Sequence, residues 1–134
     1  MDRDARVITA LDAADNRKVR LAVAGPSALI VAKVHKISER TDDSDRRTDK
    51  DALDVYRLLR AVPTDELARR FRMLRANPIS AAVTARALEA LPDLFGVARG
   101  AGVLMAIRAA GPLEPGDTIT ASLMTLTGDL VRSL

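Results

Sequence analysis

Three bases and two acids stand where a helix, a charged loop and a second helix follow one another. The segment is residues 26–59, PSALIVAKVHKISERTDDSDRRTDKDALDVYRLL. Lys33 and Arg40 lie on the first helix, and Lys50, Asp51 and Asp54 open the second. Asp51 and Asp54 are three residues apart, so on a helix they point roughly the same way. Lys50 and Asp54 are four apart and able to pair. An ammonium such as Lys33 can clamp a phosphate as a point charge. A carboxylate such as Asp51 can hold a metal-bound water, orient that lysine or act as a base. The ordinary alternative is a solvated face, where ion pairs stabilise little.

The elements that must place these residues are readable from apolar periodicity. ARVITAL (5–11) and KVRLAVA (18–24) read as strands; the second alternates, with Val19, Leu21 and Val23 on one face. The DAADNR stretch between them, with Asp15 and Asn16, reads as a turn, giving an antiparallel hairpin. A lone hairpin is marginal in water, so it needs further strands or a covering helix. Gly25-Pro26 ends the second strand and Ser27 reads as the cap of a helix over about 28–40. Residues 41–48 read as a charged loop. Thr48 with Asp51 resembles a capping box ahead of a helix over about 49–61.

Four more helices are expected. One covers about 65–76 on a Leu67, Phe71, Leu74 stripe, with Asp65 and Glu66 at its positive end. Another covers about 79–91, with Ile79, Val83, Ala87 and Leu91 inward, begun after Asn77-Pro78 and ended by Pro92. The segment 97–110 reads as a helix weakened by Gly100 and Gly102, each costing roughly 1 kcal/mol relative to Ala. The last covers about 117–133 on Ile119, Leu123, Leu126 and Leu130. The expected fold class is therefore α+β and mostly helical: an N-terminal hairpin (1–25) followed by about six helices (26–134), as one domain.

Composition narrows the chemistry. The chain has 134 residues, 48% hydrophobic but only 2% aromatic, so its core must be aliphatic. There is no cysteine and a single histidine, His35, which excludes disulfides, thiolate metal sites and multi-histidine zinc. No stretch approaches the roughly 18 apolar residues that span a bilayer, and MDRDARV is not a signal sequence. A cytoplasmic protein with no membrane partner is expected. A net charge of +3 is mild, and stacking aromatics for single-stranded nucleic acid are nearly absent.

Other residues read as structural. His35 is a surface histidine by this reading. Gly96, Gly100 and Gly102 allow close helix packing, and Met73, Met105 and Met124 belong to the core. The Arg69, Arg70, Arg72 and Arg75 run reads as a solvated face, although an acceptor RNA would suit it.

The order of Pro26, Leu29, Lys33 and Arg40, a charged loop, then Lys50-Asp51-Ala52-Leu53-Asp54-Val55, resembles the last conserved block of the AbiEii-type nucleotidyltransferases, the nucleotidyltransferase toxins of toxin–antitoxin systems and their relatives. The likeness covers about residues 5–60. It implies a small mixed sheet covered by helices and transfer of a nucleotide from a nucleoside triphosphate to an RNA or protein acceptor, with magnesium. Lys33 would contact nucleotide phosphate and Asp51 would be the late essential carboxylate, with Arg40, Lys50 and Asp54 supporting. The family's early Gly-Ser or Gly-Gly-Thr turn and Asp-x-Asp carboxylate pair have no counterpart before Lys33. No metal ligand is therefore assigned. The expectation is the C-terminal part of such a protein, a fragment or split relative inactive alone, needing its N-terminal half from elsewhere. The alternatives are a non-catalytic helical interaction domain that binds a partner protein, or a truncated gene product.

Overall fold

The computed structural model describes residues 3–9, 18–39 and 46–134, with side chains described for 25–39 and 47–134. The expected turn with Asp15 and Asn16, Arg40 and the loop residues 41–45 lie outside the described residues.

The α+β expectation is corrected: the packed body is all-helical. Every buried hydrophobic side chain among those described sits on one of six α-helices. These are α1 (Pro26–Glu39), α2 (Arg46–Ala61), α3 (Thr64–Ala76), α4 (Ala81–Phe95), α5 (Ala101–Ala110) and α6 (Gly116–Ser133). Ahead of them, β1 (Arg3–Thr9) and β2 (Lys18–Ala24) run antiparallel, with Arg3 opposite Ala24 and Thr9 opposite Lys18. They pair with each other and with no third strand among the described residues, so no sheet forms a layer against which the helices pack. The physical reason is that the helices cover one another. α2 lies against α1, α5 and α6, while α1 also meets α3 and α4.

Local sequence explains most helix bounds. Gly25 precedes Pro26, whose fixed φ and missing N–H suit the first helical position, and the Leu29 amide donates to Gly25 O at 3.0 Å. Ser27 is therefore inside α1 rather than its cap. Its hydroxyl is buried and donates to Leu67 O on α3 at 3.3 Å. α2 starts at Arg46, earlier than expected, so Thr48 lies in its first turn and is buried. The Thr48–Asp51 capping box gives way to this longer helix.

α2 is buried along two adjoining flanks. Ala52, Val55 and Leu59 bury one flank, and Leu53 and Tyr56 the next, at the i, i+3, i+4 spacing of adjoining helix faces. After α3, the Asn77 side chain accepts the Ile79 amide at 2.9 Å, and the Ser80 hydroxyl donates to Leu74 O at 2.7 Å. That turn leaves Ile79 83% exposed rather than inward. Pro92 does not end α4, which continues to Phe95. The ring forfeits one helical hydrogen bond, but continuing the helix places Leu91 and Phe95, i and i+4, both within the core at 1% and 0% exposure. Burying an aromatic ring of that size is worth roughly 1.5–3 kcal/mol. Phe95 then meets α5 at Gly102, where a Cβ would lie 2.6 Å from its ring.

Met105 is buried as expected, whereas Met73 and Met124 are exposed, each standing one position outside the Leu74 and Leu123 stripes of α3 and α6. Among the described residues, no helix is long and apolar enough to cross a membrane.

Candidate functional site

α1 and α2 bring Lys33, Lys36, Asp51 and Asp54 together. The inward stripe Ile30, Val34 and Ile37 fixes the rotation of α1, and Ala52, Val55 and Leu59 do the same for α2. With both helices locked, Lys33 and Lys36 fall at the border of the α1–α2 seam, facing Asp51 and Asp54. Lys33 Nζ donates to Asp51 Oδ1 at 2.9 Å and to Asp54 Oδ2 at 3.0 Å. Lys36 Nζ lies 2.9 Å from Asp51 Oδ2. This last contact is a charge contact rather than a well-directed hydrogen bond, since Oδ2 is buried without a hydrogen-bond partner among the described residues.

The electrostatics follow from burial set against pairing. Burial alone would lower the pKa of the Lys33 ammonium, but the hydrogen bonds to Asp51 and Asp54 outweigh it and raise the pKa above the usual lysine value. Burial would likewise raise the pKa of the Asp51 carboxyl, yet Lys36 and Lys33 together hold it below the ordinary aspartate range. Both groups are thus held charged. The cluster's side-chain exposure runs from 14% at Asp51 to 59% at Lys36, so it is sealed on the core side and open to solvent on the other.

The remaining expected site residues separate from this cluster. Lys50 is exposed, and the Lys50–Asp54 pair gives way to Lys33–Asp54, with Arg57 Nη1 3.8 Å from Asp54 Oδ1. His35 Nε2 lies 3.1 Å from Glu39 Oε1 on the exposed side of α1. In the α3 arginine run, Arg69 donates to Met73 Sδ at 3.4 Å, Arg70 pairs with Glu66 and Arg72 donates to Ser133 O at 2.8 Å, so three of the four are tied to their own fold.

Two polar groupings escaped the sequence reading. Asp49, 8% exposed, receives both Nε (3.2 Å) and Nη2 (3.0 Å) of Arg108 from α5. The buried Tyr56 donates its hydroxyl to Glu114 Oε1 at 2.7 Å, and Arg60 lies over the Tyr56 ring, 5.2 Å from its centre. Partners 59 and 58 residues apart leave no local pattern. The usable signal was only that acids on the inner side of a helix need partners.

The chemistry of the donor set does not fit a magnesium ion. Asp51 and Asp54 are turned onto ammonium groups, and no group of three potential ligands occurs among the described residues. What the cluster can do is present a lysine fixed by two carboxylates at the mouth of the α1–α2 seam. No family model, no curated protein and no solved structure matches the chain.

Proposed function

We propose that the chain is the helical C-terminal part of a nucleotidyltransferase-like protein, and that Lys33 and Asp51 form one half of its phosphoryl-transfer site. The observation that supports this reading is the meeting of Lys33 Nζ with Asp51 and Asp54 at 2.9 and 3.0 Å. The family resemblance requires that lysine and that carboxylate to converge, and residues on different helices could as readily have faced apart. In this reading Lys33 is the point charge for a nucleotide phosphate and Asp51 holds it in place. The carboxylates that would bind magnesium come from a segment or chain beyond these residues, as does the RNA or protein acceptor.

A second reading is favoured by the balance of charge. Two ammonium groups face two carboxylates, so the cluster neutralises itself and serves as a brace between α1 and α2 within a helical interaction domain.

Magnesium-dependent binding of nucleoside triphosphates, followed by titration calorimetry on the folded chain, separates the two. The first reading expects binding that Lys33→Ala and Asp51→Ala both abolish. Absence of binding in a well-folded sample, or binding indifferent to both changes, sinks it and leaves the brace.

A further inference from the structure

A second polar surface lies at the C-terminal end of α2. Two open hollows of about 370 Å³ each adjoin Arg60. One is lined by Arg57, Arg60 and Ala61, the other by Arg60, Ala121, Ser122, Thr125 and Leu126. We propose that this surface binds a phosphate group, free or esterified to a small molecule, through the guanidinium groups of Arg57 and Arg60. The proposal is independent of the Lys33–Asp51 reading.

Arg60 carries the argument. Its guanidinium stacks over the ring of Tyr56, a residue 1% exposed. Its Nη1 is anchored at 3.3 Å to both Tyr56 Oη and Glu114 Oε1. Nε and Nη2 donate to no group among the described residues. One edge of the fork is therefore fixed while the other is open. An arginine already immobilised gives up less entropy when a ligand arrives, and a planar fork matches phosphate oxygens two at a time. Arg57 lines the same hollow and has only the 3.8 Å contact with Asp54, itself shared with Lys33. On α6, Ser122 and Thr125 line the second hollow; the Ser122 hydroxyl is hydrogen-bonded to that of Tyr56, which leaves Thr125 as the further hydroxyl there.

The opposing charges are limited in reach. Glu114 faces the anchored Nη1 and accepts the Tyr56 hydroxyl. Asp54 faces Lys33. Neither acid is among the described residues that line the hollows.

The test is a titration of inorganic phosphate and of glycerol phosphate at constant ionic strength, read on the arginine Nε–H resonances. The expected result is saturable shifts at Arg57 and Arg60, with Arg57→Gln weakening binding about tenfold, the size of one charge-assisted hydrogen bond. Arg57 is exposed, so that variant folds even if Arg60→Ala does not. Binding of either probe supports the site, and the tighter one names the source. Shifts that do not saturate, that spread equally over Arg69, Arg75 and Arg86, or that survive Arg57→Gln unchanged overturn it.

Discussion

Lys33 and Asp51, on different helices and 18 residues apart in sequence, meet with Nζ 2.9 Å from Oδ1, and Asp51 is the less exposed of the two at 14%. The asymmetry matters for truncation. Removing Lys33 leaves a largely covered carboxylate facing Lys36 alone. Lys33→Ala should cost about 1–2 kcal/mol, between the values for exposed and buried pairs. Urea unfolding of the two single variants and the Lys33→Ala/Asp51→Ala double variant measures the coupling directly. Additive losses would mean that the contact stabilises nothing.

The same pair sets two pH limits. The pKa of Asp51 is lower in the folded chain than its ordinary value of 3.8. Its stabilisation is therefore present above that value and lost as pH falls through the lower folded pKa. The pKa of Lys33 is raised above 10.5, so its stabilisation is present below that value and lost as pH rises through the higher folded one. The stability gap between the natural chain and Asp51→Asn should be open at neutral pH and close in strong acid. A gap that stays constant down to the acid transition would contradict this assignment.

Arg108 should resist conservative replacement. Its two donors meet both oxygens of Asp49, and the hydrogen bond to that carboxylate raises its own pKa. Lysine keeps the charge but cannot form the fork. Arg108→Lys should lose most of what Arg108→Ala loses, roughly 1–3 kcal/mol, because either leaves Asp49 poorly satisfied. Thermal unfolding of both variants is the check, and full recovery by lysine would show the contact to be one of charge only.

How far the fold could be read depended on the distance over which each feature is encoded. The stripes Leu67, Phe71, Leu74 and Ile119, Leu123, Leu126, Leu130 are local, and all of these residues are buried except Leu126, which is partly buried. The convergence of Asp51 and Asp54 is equally local, a consequence of helical pitch. Features settled by tertiary packing were not legible. Pro92 stays helical because Leu91 and Phe95 must both reach the core. Ser27 is drawn to a carbonyl on α3, Lys36 joins the cluster only once α1 is locked, and Asp49 finds Arg108 across the body. The strand pattern of residues 18–24 carried no information about whether a sheet would form a layer of the fold, since that depends on what else covers the helices.

The close approach of α5 to α4 at Gly102 makes the last prediction. A methyl group at Gly102 would lie 2.6 Å from Phe95 Cε1 and Cζ, and 2.9 Å from Leu94 O. Phe95 is fully buried, and the carbonyl belongs to backbone, so neither neighbour can withdraw freely. Helix propensity alone would make Gly102→Ala stabilising by about 1 kcal/mol. Overpacking should reverse that sign and leave a net loss of about 1–2 kcal/mol. The double variant Gly102→Ala/Phe95→Leu should regain part of the loss by shortening the ring that clashes. Denaturant midpoints decide the matter: a Gly102→Ala chain more stable than the parent would show that α4 and α5 can separate without penalty.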